Sequence, residues 1–310
     1  MTEEQYIKNL NVPRGTIDAV LDTDAYNEID DQYAIAYMLF CQDKINIKAI
    51  YAAPFFAKHV VNKKADSPKE GMEKSYKEIL HILDLANMWQ MGKRVMRGST
   101  DYLKSHKEPQ PSEVAEDLVR LARLYSPQKP LYVITIGCLT NLASALLMAP
   151  EISENIVVVC MCGNGSDWGT PYEFNLNQDF TASKIVFNSG APIVQVPGMG
   201  VTSELRVTKP ELEYWLLGKN KLCDYIAGYT ISEAESYAKG RPWSRVLWDV
   251  PAVAWLMDDE ERFMKSRLVS LPGYIKQNQY ENRLIRYVYW VDRDNIFEEL
   301  VKRLTAFDGI

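Results

Sequence analysis

The sequence predicts an α/β protein, an open, mostly parallel, doubly wound sheet flanked by helices, as a single domain over residues 1–310. Three observations predict it. Short, mostly β-branched runs are bounded by turn residues and apolar on both faces, as strands covered on both sides must be. Other stretches carry apolar residues at three-and-four spacing, the stripe of a helix that buries one face. The two kinds alternate over the first 200 residues, the pattern of helices wound onto both faces of a parallel sheet. No internal repeat or low-complexity linker divides the chain.

The strand runs, in order, are AVLD (19–22), IKAIYAA (47–53), RVMRG (94–98), LYVITIG (131–137), NIVVVCMCG (155–163) and PIVQVPG (192–198). Residues 31–42 place Ala34, Tyr37, Met38 and Cys41 on one helical stripe, and 72–88, 112–125, 141–149 and 180–189 repeat the pattern. Residues 203–240 read as helix. After Arg262 come two strand-like runs, RLVSLPGYI and RLIRYVYWVD, and a closing helix, NIFEELVKRL.

Composition excludes several functions. A hydrophobic share of 47% and a charged share of 25% are ordinary for a globular enzyme. The 41 acidic side chains outnumber the 35 basic ones, which argues against a nucleic-acid backbone or an anionic membrane as partner. No apolar run reaches the roughly 18 residues that span a bilayer. The polar start, MTEEQYIKNLNVPRG, lacks a secretory core, so a cytoplasmic location is the expectation. The five cysteines have no framework spacing, and Cys160 and Cys162 would share one face of a strand. With only His59, His81 and His106 as nitrogen donors, a soft-metal site lacks partners, and the cysteines read as buried reduced thiols.

The chemistry-bearing segment follows the first strand. Asp22, Asp24, Glu28, Asp30 and Asp31 put five carboxylates within ten residues, where a strand gives way to a helix. That edge is where open α/β sheets bind ligands. Carboxylates this close repel one another unless a cation neutralises them, and oxygen-only donors select a hard ion such as calcium or magnesium. Capping of the helix by Asp30 or Asp31 is the alternative; it accounts for one or two of these residues and not for four aspartates.

The aspartate-x-aspartate pair followed by a double aspartate resembles the signature of the nucleoside hydrolase family, although five residues (25–29) intervene where the family usually has three. Three further segments resemble family motifs in the family's order: ITIGCLTNLASAL (134–146), YEFNLNQDFTASKIVF (172–187) and LWDVPAVAWLM (247–257). The resemblance therefore runs from Asp22 to Met257. It implies a calcium-dependent N-ribohydrolase that acts on small-molecule nucleosides in purine salvage, as a homo-oligomer (dimer or tetramer). It implies that Asp24, Asp31, the Ile136 carbonyl and Asp249 hold calcium. Asp24 would also serve as general base, with Asp30, Glu173 and Asn175 gripping ribose hydroxyls and Asp22 in support. Thr140 and Asn141 are expected only to cap their helix.

The chain departs from the family pattern on one side. Trp248 stands where many members place a histidine that protonates the departing base. Pro54, Phe55 and Phe56 replace an asparagine near the end of the second strand. Cys162 aligns with the methionine that underlies the ribose. The expectation is a retained metal and ribose side, with a base side rewritten in aromatics. Stacking on Trp248 would then favour purine ribosides over uridine or cytidine; the alternative is that Trp248 simply packs in the core. Two rival functions remain: a non-catalytic ribose- or nucleoside-binding protein, and an aspartate-based magnesium phosphohydrolase, which also opens on a strand followed by DTD.

Overall fold

The structure, a computed structural model, describes residues 1–56, 64–276 and 283–306. In chain order the elements are α1 (Glu3–Asn9), β1 (Ile17–Thr23), α2 (Asp30–Leu39), β2 (Ile45–Ala52), α3 (Pro68–Leu85), β3 (Val95–Arg97), α4 (Glu113–Ala122) and β4 (Leu131–Thr135). They continue with α5 (Thr140–Met148), β5 (Ile156–Met161), α6 (Phe174–Gln178), α7 (Phe180–Phe187), β6 (Ile193–Val196), β7 (Arg206–Val207), α8 (Lys209–Trp215) and α9 (Lys221–Ala238). The last are β8 (Arg245–Val246), α10 (Val250–Met257), β9 (Met264–Ser270), β10 (Leu284–Val291) and α11 (Arg293–Thr305).

Eight strands form one sheet in the order β3-β2-β1-β4-β5-β6-β10-β9. All neighbours run parallel except β9, which pairs antiparallel with β10. The mostly parallel, helix-flanked sheet read from the sequence is thus the fold. Period-two alternation sends side chains to two cores. Ala19 and Leu21 of β1, with Ile134 of β4, join α2, α10 and α11 on one face. Val20 and Val133 join α4, α5 and α7 on the other. These side chains are fully buried, so truncating Leu21 or Ile134 to alanine would cost about 2–5 kcal/mol.

The stretch 203–240 is not one helix. A 3₁₀ turn (Thr202–Glu204) leads into β7, then α8, then α9. Strand β7 leaves the main sheet to pair with β8. Pro210 and the Thr208–Glu211 capping box start α8, Gly218 turns the chain at φ 77°, and the Asn220 side chain caps α9. Among the described residues, no helix is long and apolar enough to cross a membrane.

Strand order decides where a ligand can enter. From β1 the chain winds outward to β2 and β3, then returns to β4 on the other side of β1 and winds the opposite way. The connections therefore part company at the carboxyl ends of β1 and β4, the switch point that opens a crevice in doubly wound sheets.

Candidate active site

Asp22 pairs in register with Thr135 of β4, and its carbonyl accepts the Ile136 N–H at 2.8 Å. Its carboxylate accepts from Asn141 Nδ2 at 2.8 Å, while Asn141 Oδ1 accepts the Ser99 N–H at 2.7 Å. Thr140 Oγ1 donates to Asp179 at 2.7 Å. The expectation that Thr140 and Asn141 cap a helix is therefore corrected. The N-cap of α5 is Leu139, without a side-chain bond; Asn141 instead ties the end of β1 to Ser99 beyond β3, and Thr140 ties α5 to Asp179 at the start of α7.

Asp24 lies one residue beyond β1. Its carbonyl accepts from Tyr26 N and Asn27 N at 2.7 and 2.9 Å, so the longer spacer folds as a tight turn. Ala25 and Ile29 anchor that turn in the core, while Asn27 and Glu28 reach the rim of the site. Helix α2 has Ile29 as its N-cap, with no side-chain cap bond, which removes the capping explanation for Asp30 and Asp31. Both stand in the first turn, where the helix dipole favours negative charge. Thr23 Oγ1 holds Asp31 at 2.5 Å.

Asp249 comes from the far end of the chain on α10, a helix whose residues 250–256 are all buried. It occupies the N-cap position but makes no cap bond, and its carboxylate turns toward α2 instead. Carboxylate oxygens of Asp30, Asp31 and Asp249 lie within 4.8 Å of one another. Asp24 and Ile136 line the same cavity, whose volume is about 740 Å³. Gly137 makes room for this: a Cβ there would stand 3.1 Å from both the N and Oδ1 of Asp24, and 3.0 Å from Ala53 Cβ.

Glu173 and Asn175 meet the acidic floor from the side. Glu173 is the N-cap of α6 and accepts from Asn175 N, Leu176 N and Gly163 N at 2.7, 3.0 and 3.1 Å. Asn175 Nδ2 donates to the Ile136 carbonyl at 2.9 Å and to the Met161 carbonyl at 3.3 Å. The expectation for Cys162 is corrected. Cys160 and Cys162 share the opposite face of β5 and its extension, with their sulfurs 2.9 Å apart in the second core, while Met161 between them lines the cavity. A period-two element moves a side chain to the other face for each step of one, and the alignment was one step off.

Trp248 is half-buried: it lines the cavity and also packs against the core. The outer wall was not read from the sequence. There Lys64 pairs with Glu233 at 2.6 Å, and Arg245 pairs with Glu28 at 3.1 Å and with Glu233 at 3.3 Å. Tyr237, four residues after Glu233 on α9, lines the same wall; that spacing was the one available signal. His59 lies outside the described residues, and neither His81 nor His106 lines the cavity.

Electrostatics make the floor unstable as bare anions. Burial pushes the carboxyls of Asp22, Asp30 and Glu173 up to about 7, and Glu28 adds to the push on Asp30. Asp24, Asp31 and Asp249 are held well above the ordinary carboxyl range, first by burial and then by one another and Asp30. Asp24 Oδ2 and Asp30 Oδ1 are buried without a hydrogen-bond partner. An all-oxygen donor set with orphaned, mutually repelling carboxylates fits a hard divalent cation.

A sheet with this winding, and an acidic oxygen cluster at its switch point, place the chain among α/β proteins that take a small molecule at the carboxyl edge of the sheet. A family profile described as inosine-uridine preferring nucleoside hydrolase matches residues 60–294. The chain belongs to this nucleoside hydrolase family, hydrolases that act on N-glycosyl bonds. It is 26% identical over 220 residues to the pyrimidine-specific ribonucleoside hydrolase RihA of Enterobacter sp. (strain 638), covering 64% of this chain and 68% of that one. RihA of Salmonella paratyphi A is 28% identical over 158 residues, 49% of this chain, so the match spans half the length of that relative. The solved purine-preferring ribonucleoside hydrolase from Gardnerella vaginalis superposes with a TM-score of 0.68 at 20% identity, over 94% of this chain and 98% of that one.

Proposed function

We propose that this protein hydrolyses the N-glycosidic bond of ribonucleosides to free base and ribose, with calcium in the acidic floor and purine ribosides cleaved faster than pyrimidine ones. The observation that carries this reading is the convergence of Asp24, Asp30, Asp31 and Asp249 with Glu173 and Asn175 in one cavity at the switch point. Asp24, Asp31, Asp249 and the Ile136 carbonyl would hold the ion. When bound, calcium would position a water and lower its pKa. Asp24, on the cavity floor, would take the proton from the attacking water as general base. Asp30, Glu173 and Asn175 orient the ribose through its hydroxyls, and the nearby negative charge stabilises the oxocarbenium character that develops at the anomeric carbon. Since Glu173 keeps its lone pairs partly engaged at the start of α6, it is pre-oriented before a substrate arrives.

On the base side, Tyr172, Phe174, Tyr237 and Trp248 give the cavity aromatic walls. A purine offers them the larger face, and its imidazole nitrogen can be protonated by solvent. The relatives divide on this point, one named pyrimidine-specific and another purine-preferring; the aromatic lining supports the purine side. The test is a nucleoside panel assayed for reducing sugar, after chelation and after return of calcium. Calcium-dependent release, with inosine ahead of uridine, is the expected result. Calorimetric binding of nucleosides with no base released would replace the reading with a binding protein.

A further inference from the structure

Gln178, the last residue of α6, has an amide whose orientation is fixed from one end. Its Oε1 accepts from Phe56 N at 3.0 Å and from the Tyr102 hydroxyl at 2.8 Å. With both donors on the oxygen, the amide must turn its Nε2 the other way. That nitrogen is buried and closes no hydrogen bond, and the segment its oxygen holds begins beside Asp24: a Cβ on Gly137 would stand 3.0 Å from Ala53 Cβ and 3.1 Å from Asp24 Oδ1, and the Gln178 amide acts on the Asp24 carboxyl. Asp24 Oδ2 is buried and unpartnered as well. Open donors and open acceptors are rare in protein interiors, and where one of each lies in the same region a small shift can complete the contact. Gln178 is not among the residues that line the cavity, so an action on Asp24 needs no contact with a substrate.

Phe56 belongs to the Pro54-Phe55-Phe56 segment after β2, where an asparagine was expected from the family resemblance and none is present.

We propose that Gln178 is a positioning residue for Asp24, donating an Nε2–H to the carboxylate and holding it in the rotamer that faces the cavity. This rests on the reading of Asp24 as calcium ligand and base. A purely structural Gln178 would do no more than tie Phe56 and Tyr102 together.

Three variants separate the two. Gln178→Met keeps the length and loses the donor, Gln178→Glu keeps the oxygen that Phe56 and Tyr102 use, and Tyr102→Phe removes one structural bond while leaving the donor. In calorimetric titration with calcium, Gln178→Met should bind about 10-fold more weakly, the lower end of what loss of a bond to a metal ligand brings, and Tyr102→Phe should stay within roughly two-fold. On inosine, Gln178→Glu should lower kcat by about 10-fold or more with KM changed far less. A Gln178→Met protein that takes calcium as the wild type does, or loses no more than Tyr102→Phe, overturns the proposal. Unchanged kcat in Gln178→Glu overturns it equally. A wild type that binds calcium but cleaves no nucleoside sinks the proposed function and leaves the calcium test standing; one that takes no calcium sinks both.

Discussion

The acidic floor of the cavity rests on the ends of β1 and β4 and the first turns of α2 and α10, whereas its outer wall hangs on α9, β8 and the turn before α2. On the floor, sheet register sets each backbone, short side chains leave few rotamers, and four aspartates are 2–3% exposed. On the wall, long charged side chains find one another as Lys64–Glu233–Arg245–Glu28, and aromatic rings fill the spaces between. The difference teaches where change is tolerated. A floor residue cannot move without disturbing a packed sheet, while a wall residue can be exchanged with local repacking. On the proposed function, chemistry falls to the first region and selectivity to the second.

The largest effect should come from the floor. Asp24→Asn keeps the shape but cannot accept a proton, so kcat should fall ~10²–10⁴-fold, with substrate binding changed much less. Steady-state kinetics on inosine with calcium measure this. Near wild-type turnover would move the base elsewhere, Asp30 being next in line, and would redraw the floor.

Calcium should act on stability in a pH-dependent way. Burial raises the carboxyls of Asp22, Asp30 and Glu173 to about 7, so the folded cation-free protein holds protons that the unfolded chain releases near pH 4. That stabilisation is complete below the unfolded pKa and is lost as pH rises through about 7. The carboxyls that would hold the ion, Asp24, Asp31 and Asp249, are raised in the same direction and give up their protons when a cation binds, so calcium should raise Tm most above pH 7 and little near pH 5.5. At a concentration 100 times its Kd the gain is about 2.7 kcal/mol. Equal increments at both pH values would mean that calcium binds outside the floor.

Wall substitutions should be milder and should change preference more than rate. Trp248→Ala should lower the inosine-to-uridine ratio of kcat/KM by about two- to twelve-fold, the equivalent of roughly 0.5–1.5 kcal/mol of stacking. A ratio untouched by the change would leave Trp248 as a packing residue. Smallest of all, Glu28→Gln removes one of two carboxylates on Arg245 at a position whose side chain is nearly half exposed. Stability to urea should change by less than about 1 kcal/mol, and turnover should hold within about two-fold. A ten-fold loss of turnover would bring the rim into the reaction machinery.

Legibility in the sequence divides along the same line. The acidic floor could be read because Asp22, Asp24, Asp30 and Asp31 are close in the chain, at a junction of strand and helix that local pattern reveals. Asp249 could be placed only through the resemblance of its whole segment. Lys64, Glu233 and Arg245 were not legible, since nothing local says that α9 and β8 fold over the ends of β1 and β4. Thr140 and Asn141 were misread because a sequence shows their neighbours along the helix and not the α7 cap and the strand ends across from it. Met161 was missed by one residue, which on a strand is the distance between one face and the other. The division of 203–240 into β7, α8 and α9 had signals in Pro210 and Gly218, but the pairing of β7 with β8 joins residues about forty apart.

Gly137 gives the floor a further property. The approach of Asp24 to the end of β4 depends on a side chain that is not there, because a single methyl group would press on both the backbone and the carboxylate of Asp24. A survey of relatives that counts acidic residues would score a chain with alanine at this position as intact, since every carboxylate would still be present. Competence in such a set is therefore written partly in clearance, and the identity of this one small residue is a criterion for sorting dormant copies from working ones.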